Sequence, residues 1–320
     1  MGKIHLRIQS DLFVSSELYV SRTLAADNRP HAVWISLFMS AVIMMLTITP
    51  AMAGIVNNNS IGLVKLAYAE NTPDQNGVMM YNYHGVQRKV YNPHVVASSG
   101  GNYYVEYQTT GSDKPKKYFL NTADWLLDHA EDKGNYSLWV YEFPWRYYGW
   151  IFIPPYYSAL AQSEGIVVLM LAHQLTGEQK YIDGAKKAFN AFRVSYENGG
   201  LVTDEGNEMV FLHLLGKPGT EKIYVLNGHT NSLLLLWKYY SYTHDPNVKE
   251  IFDKGINYLK KNLWKYDTGS WSYYDQMKNE ASKGYHTSHI NQLKELYDIT
   301  KEPILKEYSD RFARYSSQKQ

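Results

Sequence analysis

Paired helical segments recurring through the later part of the chain predict a mainly α protein. The expected architecture is an incomplete (α/α) toroid of helix hairpins, preceded by a short N-terminal β-hairpin segment. Two observations carry this expectation. Three hairpins of similar length place Thr176, Thr243 and Thr300 at matching positions, and long aromatic loops separate them. Helix pairs set in a ring turn their loops toward one open face. A straight solenoid is the alternative, which few repeats and long loops disfavour.

Taken in order, residues 1–31 form a cytoplasmic n-region carrying Arg22 and Arg29 ahead of an uncharged apolar run, Ala32 to Ala53. About 20 apolar residues cross a bilayer as a helix, and preceding arginines favour the cytoplasmic side. The run closes on Ala51-Met52-Ala53, a small-x-small pattern of the kind signal peptidase cuts. Residues 32–53 therefore read as a signal peptide or a membrane anchor, and either places the body of the protein outside the cytoplasm. Residues 54–80, rich in Asn, Gly and Pro, read as a linker. Residues 81–115 read as a short β segment, in which YVEYQ alternates and Ser98 to Asn102 resembles a turn between strands.

The helical domain is expected over 116–320, opening with a helix from Tyr118 to Ala130. Tyr156 to Leu175 then carries an apolar face through Leu160, Ile166, Val167 and Met170, and a second helix follows Thr176-Gly177 through Tyr181, Ala185 and Phe189. The arrangement returns at Leu233 to Tyr242 and Val248 to Leu263, split at His244-Asp245-Pro246. It returns again at Ile290 to Ile299 and Ile304 to Tyr315, split at Lys301-Glu302-Pro303. Pro after one helix and an acidic residue before the next are ordinary stop and start signals.

Composition narrows the chemistry. The 320 residues carry a formal net charge of +1, so no global field attracts nucleic acid, and an anionic ligand must be held by a local cluster. Zero cysteines exclude disulfides, thiol nucleophiles and thiolate metal sites. No Gly-rich dinucleotide loop is present, and no cofactor is expected. His286 and His289 lie three apart but lack further ligands at zinc spacing, so no metal is expected either.

The segment Trp271 to Leu293, WSYYDQMKNEASKGYHTSHINQL, concentrates the candidate chemistry. It sets Tyr274 and Tyr285 in polar surroundings ahead of a helix expected to begin near Thr287. Tyrosine donates a proton as phenol and is a strong base as phenolate when a cation favours ionisation. Lys278, Lys283, His286 and His289 are the nearby cations. Two phenols on opposite faces of one carbon can remove a proton from one side and return one to the other. The loop Trp139 to Tyr157 adds aromatic rings, including Tyr156 and Tyr157, that either stack on sugars or plug the toroid. Its Arg146 suits a carboxylate. Gln162 and Glu164 lie inside an apolar helix and need partners, from the fold or from a sugar. Asn227 suits a helix cap, with a sugar hydroxyl as a second role.

These residues resemble a known family. YHTSHINQL (Tyr285 to Leu293), with WSYYD (Trp271 to Asp275) before it, resembles the signature of the heparan-type D-glucuronyl C5-epimerases. VLNG at Val225 to Gly228, YYSALAQSEGI at Tyr156 to Ile166, TADWLL at Thr122 to Leu127 and VYNPHVVASSG at Val90 to Gly100 also have counterparts in the same order. The resemblance runs from about Tyr81 to the C-terminus, without the β-sandwich that animal members insert. It implies a helical catalytic domain that converts D-glucuronate to L-iduronate in an acidic polysaccharide, without a cofactor, from a possible homodimer. Tyr274 and Tyr285 would transfer the proton. Arg146, Tyr156, Tyr157, Gln162, Tyr224, Asn227, Lys278, His286, His289 and Asn291 would contact substrate. The chain departs from the family at His213-Leu214, where members carry an acidic residue followed by tyrosine. It departs again at Met277, where animal members place a basic residue. Three other functions compete: a uronan lyase sharing the first proton abstraction, a hydrolase using carboxyls among Asp204, Glu205 and Asp275, and a non-catalytic glycan-binding protein.

Overall fold

The computed structural model describes residues 71–83, 88–148, 150–216 and 222–318. The n-region 1–31, the apolar run 32–53 and most of the 54–80 segment lie outside the described residues. No described helix is long and apolar enough to cross a membrane.

A three-stranded antiparallel sheet opens the described chain: β1 (Thr72–Pro73), β2 (Met79–Tyr83) and β3 (Arg88–Val90), in that spatial order. Its first strand lies inside the stretch that reads as linker. Asp74 Oδ1 fixes the β1–β2 turn by accepting from the amides of Asn76 (2.8 Å) and Val78 (2.9 Å).

The expected β segment ends there. Pro93–Thr110 is an 18-residue helix, α1, and not a pair of strands around a turn. Asn92 Oδ1 caps it by accepting from the amides of His94 and Val95, and Pro93 occupies its first turn with φ already helical. The Ser-Ser-Gly-Gly run sits mid-helix because small residues let α1 approach its neighbours. A Cβ on Gly100 would lie 2.9 Å from Thr122 and 3.3 Å from Val168. Helix α2 (Asp113–Asp128) completes the hairpin. The toroid thus begins at Pro93 and not at 116.

Three further hairpins follow: α3 (Ala159–Thr176) with α4 (Gln179–Phe189), α5 (Leu226–Thr243) with α6 (Pro246–Asn262), and α7 (Lys283–Thr300) with α8 (Pro303–Gln318). The recurring threonine has one job in each. The hydroxyls of Thr176, Thr243 and Thr300 donate to the carbonyls four residues back at 2.7–2.9 Å. Each hydroxyl also accepts from the amide two residues on, which opens the next helix. Thr110 makes the same pair of bonds at the end of α1, so the repeat is fourfold. The residue after each threonine is left-handed, with φ of 67° at Gly111, 73° at Gly177, 53° at His244 and 59° at Lys301. This satisfies the last carbonyls and reverses the chain.

The odd-numbered helices pack side by side, α1 on α3, α3 on α5 and α5 on α7, with each even helix behind its partner. Helix α7 has no extended contact with α1, which leaves the ring open. Residues 159–172 of α3 are all buried, as expected for an apolar helix at the centre of the arc.

Two-stranded hairpins fill the loops: β4/β5 (Ala130–Asp132, Ser137–Trp139), β6/β7 (Trp145–Tyr147, Trp150–Phe152), β8/β9 (Val202–Asp204, Met209–Phe211) and β10/β11 (Leu214–Leu215, Lys222–Ile223). A second, aromatic core forms where these loops meet the helices, through Tyr141, Phe143, Tyr147, Phe152, Tyr156 and Tyr274.

Candidate active site

The N-terminal ends of all four odd-numbered helices open onto one cavity of about 370 Å³. Asn92 and His94 come from the start of α1, Tyr156 and Leu160 from the start of α3. Asn227 and Asn231 come from α5, and Ser282 and Tyr285 from α7. The aromatic loops close the other side with Tyr141, Trp145, Tyr147 and Tyr274. Helix N-termini carry partial positive charge and free N–H groups, so four of them facing one space favour an anion there. No Asp or Glu is among the described residues lining the cavity.

Tyr274 and Tyr285 meet in this wall. Their ring centroids are 4.6 Å apart at 48°, and their side chains are hydrogen-bonded. Tyr274 is 7% exposed and wedged beside Tyr147 and Tyr148, whereas Tyr285 is 39% exposed. Helix α7 begins at Lys283 with Ser282 as its cap, so Tyr285 belongs to the first helical turn and does not precede the helix. Burial, followed by the neighbouring Tyr285, pushes the Tyr274 hydroxyl well above its ordinary value. Tyr274 therefore remains a phenol at neutral pH.

The backbone around Tyr274 is fastened at several points. Its carbonyl accepts from Leu226 N (3.0 Å), its amide donates to Asn279 O (2.6 Å), and Asp275 bridges Val225. The start of α5 in the VLNG block and the loop of the WSYYD block are thus joined by a single bridge and lie side by side in one site. Asp275, fully buried, accepts from Tyr147 Oη (2.5 Å) and from Asn279 N and Nδ2 (3.1 and 2.7 Å). It orders the loop, and it is not among the residues lining the cavity. Asp204 and Glu205 are exposed on the β8/β9 hairpin, outside the cavity lining.

Of the sequence-predicted contacts, Tyr156 and Asn227 line the cavity. The Tyr156 hydroxyl and Asn227 Oδ1 are buried with no hydrogen-bond partner, and so is His213 Nδ1. Buried polar atoms are normally paired, so these three are open for a ligand.

The other predicted contacts fall elsewhere. Arg146 is exposed on β6 between the cavity residues Trp145 and Tyr147, and strand alternation turns it to the other face. Tyr157 alternates away in the same manner and donates to Glu131 at 3.3 Å. Gln162 Nε2 donates to the carbonyls of Ser137 (2.8 Å) and Ala188 (2.9 Å), and its Oε1 accepts from Trp139 N, so it pins β5 to α4. Tyr224 packs on the main core. Lys278 is exposed at a loop tip with φ 66°.

His286 and His289 lie behind α7, not in the cavity, and Ser272 Oγ sits 2.7 and 2.8 Å from their Nδ1 atoms. His286 also bonds the Phe312 carbonyl and stacks on Trp271 at 3.5 Å. Burial pushes His289 down to about 3, which keeps it neutral. Asn291 is exposed on the outer side of α7, while Ser288 and Gln292 share the inner face with Tyr285.

Sequence reasoning missed His94, Tyr141 and Tyr147. The Asn-Pro pair before His94 marks a helix start and was the available signal for it. Glu164, noted as a polar residue needing a partner, has one in His94 Nδ1 at 2.7 Å.

A family model described as the D-glucuronyl C5-epimerase C-terminus matches residues 133–314. A D-glucuronyl C5-epimerase of Caenorhabditis elegans is 30% identical over 217 residues, covering 62% of this chain and 35% of that protein. An uncharacterised protein of Methanocaldococcus jannaschii is 29% identical over 198 residues, covering 60% of this chain and 62% of its own. The chain therefore spans less than two thirds of either relative. Among solved structures, a family 76 α-mannanase of Bacteroides thetaiotaomicron has a TM-score of 0.53 at 11% identity, over 75% of this chain and 64% of its own, a likeness of fold. With more than half of its length matched by the family model, the chain belongs to the D-glucuronyl C5-epimerase C-terminal family.

Proposed function

We propose that this protein epimerises D-glucuronate residues to L-iduronate at C5 within a polysaccharide, with Tyr274 and Tyr285 transferring the protons. The observation that carries this reading is the hydrogen-bonded tyrosine pair in the wall of a cavity that has no carboxylate among its described lining residues and onto which four helix N-termini open. The C5 proton is α to a carboxylate, and its removal leaves an enediolate. Fixed dipoles aimed at that developing charge supply the largest share of such catalysis. Tyr274 keeps its proton and serves as the acid, while the half-exposed Tyr285 serves as the base. With Tyr285 as phenolate, the C5 proton moves to it while the C5–H electron pair stays on the sugar. Tyr274 then gives its proton to the opposite face, and the phenolate left there regains a proton from Tyr285 once the product leaves. Because the two rings touch in the free protein, the sugar must replace their mutual hydrogen bond. Tyr285 is the partner that moves aside.

A lyase shares the first step and then breaks the C4–O bond. A glycan-binding protein keeps the cavity and performs neither step. Incubation with an unsulfated glucuronate polymer separates the three: new iduronate NMR signals support epimerisation, and absorbance from a C4–C5 double bond identifies a lyase. Binding without either product leaves a binding module. The apolar run 32–53 supports an extracytoplasmic location, tested by protease accessibility on intact cells. Homodimer formation is tested by sedimentation.

A further inference from the structure

His94 is the unexplained group of the cavity. It is the second residue of α1, where the helix dipole disfavours a positive charge. Yet a buried glutamate from the neighbouring helix, Glu164, 8% exposed, holds its Nδ1 at 2.7 Å. A fold built only for stability gains little from an imidazolium at this end of a helix. The imidazole keeps 32% of its side chain exposed, and Nε2 is left for the cavity. No Lys or Arg is among the described lining residues, and His213 is the other basic side chain there. Burial, followed by the charge on His94, pushes His213 down to about 3, so it is neutral. Burial works against charge on His94 too, but the Glu164 carboxylate outweighs it and raises His94 above its ordinary value. Glu164 from α3, His213 from the segment before β10 and Tyr141 from the segment after β5 face His94. Of these, Glu164 carries the opposite charge.

We propose that His94, held as an imidazolium by Glu164, is the anchor for the substrate carboxylate, with His213, Asn227 and Tyr156 as its neutral hydrogen-bonding surround. The ion pair discriminates a hexuronate from the corresponding neutral hexose. It also fixes which edge of the ring turns toward α1 and α3. This assignment rests on the uronate reading above, and it is tested by binding and not by turnover.

The test measures affinity of the full chain for an unsulfated glucuronate-containing tetrasaccharide and for its carboxyl-reduced counterpart, in which a hydroxymethyl group replaces each carboxylate. Wild type should prefer the charged probe by about tenfold or more at about pH 6, below the ordinary histidine value, the scale of a charge-assisted hydrogen bond. His94→Gln should abolish that preference while binding the neutral probe within about twofold of wild type. Glu164→Gln, which leaves the ring but removes its counter-charge, should lose the preference at a lower pH than wild type. The sign follows from titration: the preference is present below the raised value of His94 and fades as pH rises through it. A His94→Gln protein that still prefers the charged probe overturns the proposal, as does a wild type that binds both probes equally. A wild-type preference that His94→Gln abolishes, with no C5 exchange by wild type, sinks the epimerase reading and leaves the anchor standing. Thermal unfolding of both variants separates a lost contact from a lost fold.

Discussion

Replacing Gln162 by leucine distinguishes a structural amide from a sugar contact. The substitution keeps the side-chain volume and removes two donated bonds, to Ser137 and Ala188 carbonyls, and one accepted from Trp139 N. Net contributions of about 1 kcal/mol per bond give roughly 3 kcal/mol, less the gain from burying a more apolar side chain. A loss of about 2–3 kcal/mol lowers the melting temperature by roughly 4–12 °C in a domain of this size. The assay is a urea titration of wild type and variant, followed by saccharide affinity measured per folded molecule. The structure predicts a lower urea midpoint at unchanged slope and an unchanged affinity. A variant of wild-type stability with weakened saccharide binding would refute the placement of Gln162 between β5 and α4.

Two further predictions concern the frame around the site. Asp275→Ala leaves the Tyr147 hydroxyl and two Asn279 donors without their acceptor, so it should cost about 3–5 kcal/mol and disorder the loop carrying Tyr274; a urea midpoint near wild type would contradict this. His229 and His289, both buried, are held down to about 4 and about 3 mainly by burial. The unfolded chain takes up protons at these residues below about pH 6.5, and the folded chain does so only below those lower values. Stability should therefore fall with pH from about 6.5 toward about 4, by up to about 1.4 kcal/mol per pH unit per histidine. Urea midpoints measured across that window check the slope, and a flat profile would show that the two rings do not stay neutral.

Much of the fold was legible because its punctuation is local. A threonine, a left-handed residue and an acidic or proline start recur at Thr176, Thr243 and Thr300, and each motif closes one helix and opens the next within a few residues. The first repeat escaped because Ser98 to Asn102 carries turn chemistry that close packing overrode. Gly100 lies mid-helix since only a missing side chain admits Thr122 and Val168. Thr110, inside the stretch that reads as a β segment, was the legible clue. Of the residues around the cavity, Tyr274 and Tyr285 stand out through the polar segment Trp271 to Leu293, and Tyr156 and Asn227 because they lie beside helix starts.

His286 and His289 could not be separated from the cavity by sequence, since residues three apart on α7 are both compatible with its inner face. Tertiary contacts with Ser272, Trp271 and Phe312 decide that they face the core. The pairing of His94 with Glu164 joins residues seventy positions apart, and no local pattern encodes it.

The central claim is that Tyr274 and Tyr285 move a proton at C5 of a glucuronate residue. Its most direct test is incorporation of solvent deuterium at C5 of an unsulfated glucuronate polymer, compared among wild type, Tyr274→Phe and Tyr285→Phe. The account predicts exchange by wild type and a loss of about a hundredfold or more in each variant, with saccharide binding retained. Exchange at the wild-type rate in either variant would contradict it.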